Sequence, residues 1–180
     1  MKKSCRIIVM TATLLGFMAS FACAEEVSGR CVTYDKTKNT ISIIKDFNNN
    51  KTKPDFQLPL LTYSLPEGTT VKDGKRIKLD LTENKLKYYD DTTNSLKTID
   101  FKLVEKKENI QPLDKIVVGE KFPAIDKAKK TVTIYSKRQK VLTVISVDDN
   151  ALSLPEKIYD SGDDIKITVG EPGKAVKVEK

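Results

Sequence analysis

Two groups of side chains in this 180-residue chain are spaced for chemistry. The first is Asp46, Asn48 and Asn50, with Asp55 following, which sets oxygen ligands at alternate positions of a turn. A hard cation wants several oxygens on a flexible loop, so the run resembles the opening of a calcium site. It lacks the central Gly and the closing bidentate Glu of such a loop and it carries Lys51 and Lys53, so a plain polar hairpin turn is the competing reading. The second group is basic. Lys127, Lys129, Lys130, Lys137, Arg138 and Lys140 fall in the stretch from Lys121 to Lys140, whose single acid is Asp126. That concentration of charge suits an anionic partner such as lipid headgroups, cell-wall polymer or an acidic protein. A solvated face that protects a strand edge uses lysines in the same way.

Other chemistries are excluded by what the chain lacks. There is no His, which removes Ser-His-Asp and Cys-His catalysis, His-ligated zinc and c-type haem attachment. Trp is absent too. No G-x-S-x-G elbow, P-loop, G-x-G-x-x-G or S-x-x-K with K-T-G occurs, so no enzyme is announced and no cofactor is expected. Nucleic acid is not an expected partner, because Tyr135 is a lone aromatic among the basic residues and cannot form a stacking strip.

The N-terminus carries an export signal. Lys2, Lys3 and Arg6 precede an apolar stretch from Ile7 to about Ala19, and Ala22-Cys23-Ala24 follows the A-x-A rule. The apolar run is too short to span a bilayer, so residues 1–24 read as a cleaved signal helix and the protein as periplasmic or associated with the cell envelope. A rival cut before Cys23 would lipidate that thiol and tether the chain to a membrane, although Ser20 and Phe21 fit the lipidation box poorly. Without the leader the excess of basic over acidic residues falls from seven to about four, which is ordinary surface charge. Cys31 is then the sole cysteine, so no intramolecular disulfide can form.

The elements that must position these groups are strands. Ile41 and Ile43, then Ile77, Leu79 and Leu81, then Ile99, Phe101 and Leu103 alternate with polar residues. Val132 and Ile134, then Ile165, Ile167 and Val169, then Val176 and Val178 do the same, and each run predicts a strand with one buried face. Polar turn clusters separate them, among them Asn48-Asn49-Asn50, Asp73-Gly74, Asp90 to Asn94, Asp148-Asp149-Asn150 and Glu171-Pro172-Gly173. No segment repeats at helical spacing. Residues 105–115 are charged, contain Pro112 and read as a linker.

The halves of the chain also resemble each other. Arg30 to Ile43 matches Lys121 to Ile134 at an offset of 91 with five identities, and Ser64-Leu65-Pro66-Glu67 recurs as Ser153-Leu154-Pro155-Glu156. Gly74 with Ile77 then answers to Gly162 with Ile165. The resulting expectation is an all-β fold of two tandem, internally repeated antiparallel barrels, OB-like or SH3-like, over 25–104 and 116–180, with one antiparallel β-sandwich as the alternative. In this overlay Cys31 takes a position of inward parity, which suits a buried small hydrophobe. Asp35 and Asp126 serve their own turns as side-chain acceptors.

Gly29 to Asp35, Phe122 to Lys127 and Thr131 to Lys140 are similar to a family of exported proteins of unknown function from anaerobic sulfate- and metal-reducing bacteria. The resemblance implies a small envelope protein, lipid-anchored in some members, with no assigned activity or functional residues. The combined reading is a non-enzymatic binding or structural module with the basic hairpin as contact surface and an unidentified envelope component as partner. A weak calcium-binding protein, or an enzyme with an unrecognised site, are the alternatives. Cleavage after Ala24 predicts Glu25 as the mature N-terminus, whereas lipidation predicts an acylated Cys23. Intact-mass measurement on the protein isolated from its native envelope separates the two.

Overall fold

Tight turns between short strands shape this chain, and five of them share one construction. Asp35, Asp80, Asp90 and Asp126 each end a strand and accept backbone N–H groups two or three residues ahead: Thr37 and Lys38 at 3.0 Å, Thr82 at 3.0 Å, Thr92 at 2.9 Å and Lys129 at 3.0 Å. Ser136 accepts from Gln139 at 3.3 Å. Four residues after each acceptor the backbone enters the left-handed region, at Asn39, Asn84, Asn94, Lys130 and Lys140, with φ between 49° and 54°. Asn adopts this conformation readily, whereas a lysine there costs about 1 kcal/mol. The turn role predicted for Asp35 and Asp126 is therefore one instance of a wider device.

The computed structural model describes residues 25–50, 53–111 and 120–180. The expected signal helix over 1–24, with Cys23, lies outside the described residues, as does most of the second half of the expected linker. Among the described residues the strands are β1 (Glu25–Asp35), β2 (Thr40–Lys45), β3 (Leu61–Ser64), β4 (Arg76–Asp80), β5 (Lys85–Asp90) and β6 (Ser95–Asp100). They continue with β7 (Lys102–Lys107), β8 (Ala124–Asp126), β9 (Thr131–Ser136), β10 (Val141–Ser146), β11 (Asp164–Glu171) and β12 (Lys174–Glu179). One helical turn, α1 (Asp149–Leu152), follows β10 and is capped by Asp148, which accepts the Ala151 N–H at 2.7 Å. Helical spacing is undetectable in so short an element, which is why the sequence pattern missed it.

The all-β expectation stands, but the expected pair of tandem barrels does not appear. One barrel closes in the order β1-β11-β12-β3-β2, so three of its strands come from one end of the described chain and two from the other. Eleven residues long, β1 pairs with β11 through Glu25–Arg30 and with β2 through Gly29–Asp35. Its counterpart in the second half, β8, has three residues and, among the described residues, pairs only with β9. The physical reason is Pro123. It stands where the first copy has Val32, it has no N–H to give to a ladder, and β8 begins only after it. A strand that short cannot supply both edges of a barrel stave.

Between β3 and β11 the chain forms two three-stranded meanders, β4-β5-β6 and β8-β9-β10, with β7 added beside β10. Their apolar faces share a core, and the buried pairs stand at a constant spacing of 46 residues: Leu86 and Val132, Tyr88 and Ile134, Ile99 and Ile145, Phe101 and Val147. Asp35 and Asp80 are 45 residues apart, and Asp80 and Asp126 are 46 apart. The sequence offset of 91 thus spans two such steps. Ala151, Leu152 and the fully buried Tyr159 belong to the same core. The barrel has its own interior of Val27, Cys31, Ile41, Ile43, Ile165 and Ile167. Val32 and Ile44 point out of the barrel and pack on Ile77 and Tyr89 of the first meander. Each fully buried Ile stabilises by about 2–3 kcal/mol, so β1 and β2 are held from both faces.

Three local expectations are corrected. Leu103 is 41% exposed, because the strand ends at Asp100 and restarts at Lys102 in a different sheet, which breaks the alternation at Phe101. Val176 is 60% exposed and Ala175 faces inward instead, since β-bulges at Thr168/Val169 and Val169/Glu171 shift the register between β11 and β12. Ser-Leu-Pro-Glu ends a strand at Ser64, but its second occurrence follows α1 and opens a 3-10 turn over Glu156–Ile158.

The two glycines that follow this tetrapeptide meet in space. Cys31 N–H donates to the Asp163 carbonyl at 2.9 Å, Gly74 N–H to the Cys31 carbonyl at 3.3 Å and Asp163 N–H to the Lys72 carbonyl at 2.8 Å. These bonds tie three chain segments together at close range. A Cβ on Gly162 would lie 1.8 Å from the Cys31 carbonyl oxygen, and one on Gly74 would lie 2.5 Å from the Gly162 nitrogen. Overpacking of this kind costs about 3 kcal/mol. Gly162→Ala is therefore expected to lower the urea midpoint sharply, whereas Val176→Ala, on the exposed side of β12, leaves it nearly unchanged.

Candidate functional site

The basic residues are distributed by the turns. Lys127, Lys129 and Lys130 sit in the β8–β9 turn, and Lys137, Arg138 and Lys140 sit in the β9–β10 turn, so β9 separates the two groups by about 17 Å. All six are exposed. The first group is partly neutralised, because Lys129 lies 3.5 Å from Asp126 and Lys130 lies 2.7 Å from Asp149. In the second group Arg138 reaches Asp164 at 2.9 Å, while Lys137 and Lys140 make no ion pair among the described residues. The second turn is firmly held. Ile110 N–H donates to the Lys140 carbonyl at 2.9 Å, the Tyr135 hydroxyl donates to the Ile110 carbonyl at 3.1 Å, and Phe122 packs against the Tyr135 ring at 5.8 Å.

Arg138 leads to a cluster that sequence reading missed. Arg30, on β1, donates Nε to Asp164 Oδ1 at 3.0 Å and Nη1 to the Ile77 carbonyl at 2.6 Å. Arg138 donates to the other oxygen of the same carboxylate. Arg76, at the start of β4, donates Nε to the Tyr159 carbonyl at 2.9 Å. Burial, and behind it the nearby Arg30 charge, pushes the Arg76 guanidinium down to about 10, against the opposing pull of Asp160 and Asp164. Asp160 is in turn paired with Lys72 at 2.8 Å. These are the three arginines among the described residues of a chain that has 28 lysines and four arginines, and all three gather near one aspartate. The rarity of arginine is the signal that could have drawn attention to them.

The four oxygen-bearing candidates of the first loop sit in different surroundings. Asp46 is buried and bridges to Pro54 through the backbone, while Asn48 and Asn50 are exposed. The loop is closed by its own backbone bonds, Phe47 N–H to the Lys53 carbonyl at 2.7 Å and Asp55 N–H to the Lys45 carbonyl at 2.8 Å. Asp55 lines an open groove of about 360 Å³ with Phe47, Lys53, Pro54, Phe56 and Lys78. Asp46 and the two asparagines therefore differ in burial, and the fourth candidate faces a groove that contains two lysines. Among the described residues no group of three His, Cys, Asp or Glu side chains is placed to hold a metal ion.

A family described as Domain of unknown function (DUF4881) matches residues 23–179. The chain belongs to that family. No curated protein matches it, and no solved structure does. The DUF4881 match spans the barrel and both meanders, so the family unit is the whole described fold and not one half of it. The family brings no activity with it, and the chemistry of this DUF4881 chain must be argued from its side chains.

Cys31 illustrates the point. It is fully buried in the barrel, and its Sγ lies 3.5 Å from the Thr33 carbonyl. Burial, and behind it the Asp73 and Asp163 carboxylates, pushes the thiol from 9.0 up to about 12, so at neutral pH it is protonated and is no nucleophile. Burial likewise pushes the Tyr159 phenol from 10.0 up to about 12. Both groups hold their protons more tightly folded than unfolded, so the stability they confer is complete below about pH 9 and is lost as pH climbs toward 12. Urea unfolding of the DUF4881 protein is expected to show a falling midpoint from pH 9 upward. In Cys31→Ala the fall starts about one pH unit later, where tyrosine begins to ionise.

Proposed function

We propose that this DUF4881 protein is an exported, non-enzymatic binding module that holds an anionic component of the cell envelope on its β9–β10 turn. The observation that carries the reading is the state of that turn: Lys137 and Lys140 are exposed without a carboxylate partner among the described residues, on a backbone fixed by Ser136, Ile110 and Tyr135. Exposed ammonium groups on a rigid support attract anions without a large ordering cost. The β8–β9 turn contributes less, because Asp126 and Asp149 already engage two of its lysines. Export rests on the basic, apolar and small-residue order of the first 24 residues. The non-enzymatic part rests on the absence of His and on the protonated state of the buried thiol.

Cosedimentation with phosphatidylglycerol vesicles tests the reading, with phosphatidylcholine vesicles as the uncharged control. Binding is expected at low salt, weakened at physiological salt and absent on the control. Each lysine near an anionic surface contributes about 1 kcal/mol, so Lys137→Ala with Lys140→Ala should reduce binding more than tenfold. Binding that ignores salt, or that survives the double substitution, refutes the assignment.

A further inference from the structure

The connection between β2 and β3, together with Lys78 of β4, encloses the open groove of about 360 Å³ whose other walls are Phe47, Lys53, Pro54, Asp55 and Phe56. Small-molecule clefts run from about 300 to about 1,000 Å³, so this one suits a single small occupant. Three of its walls are rings, and Phe47 is 52% exposed. Phe56 stands in the left-handed region at φ 55°, a conformation that costs free energy for a bulky side chain. Its ring is fixed there: it packs on Val32, Ile44, Ile77 and Tyr89, and the Lys87 ammonium lies 4.4 Å from the ring centroid. Strain of this kind persists only where its surroundings enforce it, and it gathers at ligand sites.

The groove also holds two opposite charges that do not neutralise each other. Lys53 and Asp55 flank Pro54, yet among the described residues no ion pair joins them and neither side chain has another partner. Lys78, by contrast, is engaged by Asp80 at 2.6 Å. The backbone beneath the two charges is held in place. Phe47 N–H donates to the Lys53 carbonyl at 2.7 Å, Asp55 N–H donates to the Lys45 carbonyl at 2.8 Å, and Pro54 bridges to Asp46. An anion bound here would meet the repulsion of Asp55, and a cation that of Lys53. An uncharged molecule would draw both groups out of water without compensation. A molecule that carries both signs beside a flat apolar body avoids all three costs, and rings pack on rings with contacts that aliphatic groups lack.

We infer that this groove binds a free aromatic amino acid, with its carboxylate on Lys53, its ammonium group on Asp55 and its ring against Phe47, Pro54 and Phe56. The site shares no residue with the β9–β10 turn and adds a small-molecule ligand to the surface proposed above.

The test is titration of the full chain with L-phenylalanine, followed by calorimetry and by amide chemical shifts of residues 47, 53, 55, 56 and 78. Saturable 1:1 binding is expected. Phenethylamine and 3-phenylpropionate each lack one of the two charges and should bind about fivefold more weakly, the worth of one partly exposed ion pair. Glycine keeps both charges, lacks the ring and should give no saturable shift. Lys53→Gln and Asp55→Asn should each weaken L-phenylalanine about fivefold, and Phe47→Ser should weaken it as well. All three side chains are at least partly exposed, so thermal melts of these variants are expected to match the parent. Absence of a saturable L-phenylalanine titration overturns the site. Equal affinity for either single-charge analogue, or binding that survives the three substitutions, overturns it too. Lys137→Ala with Lys140→Ala should leave the titration unchanged; a loss there puts the ligand on the basic turn and removes it from the groove.

Discussion

β1 is used on every side. Its two edges are paired, with β11 along one and β2 along the other, and its two faces are buried, with Cys31 inside the barrel and Val32 against the first meander. The middle of the strand is buried, so its neighbours must approach closely there, and they do so where side chains are missing at Gly74 and Gly162. The barrel, the first meander and the segment leading into β11 all meet on this one strand. Displacing it would open the barrel interior and the small cluster of Val32, Ile44, Ile77 and Tyr89 together.

The same junction sets the electrostatics. Lys75 is 6% exposed, and its ammonium lies 2.6 Å from Asp91 and 5.8 Å over the Tyr89 ring. Lys157 reaches Asp73 at 2.5 Å, and Lys72 reaches Asp160. Lysines are thus matched one to one with aspartates around the glycine contact. Matched pairs in partly buried surroundings fix geometry.

Much of the local structure is legible in the sequence, and little of the pairing is. Alternation located most of the strands, and Asp35 and Asp126 marked their turns, because both signals are carried by residues a few positions apart. Which strand pairs with which is decided across more than a hundred residues. The match of Arg30 to Ile43 with Lys121 to Ile134 is real at the level of strand, turn and strand, yet it hid the consequence of one proline that shortens β8. The breaks at Leu103 and Val176 arise from a change of sheet and from bulges, which no periodicity contains. At the site, the basic residues read as one patch because they are neighbours in sequence, while extended geometry sends them to opposite ends of β9. Arg30, Arg76 and Asp164 lie too far apart along the chain for any spacing rule to join them.

The barrel's seams lie between strands far apart in the sequence, with β1 paired to β11 and β3 to β12. During synthesis the two meanders can fold from local contacts as they emerge, but β1 to β3 remain an unfinished sheet until Glu179 has appeared. The earlier strands of the barrel are therefore satisfied later than the meanders that follow them. With this order of events the barrel closes in a late step, after the meanders between its halves have formed.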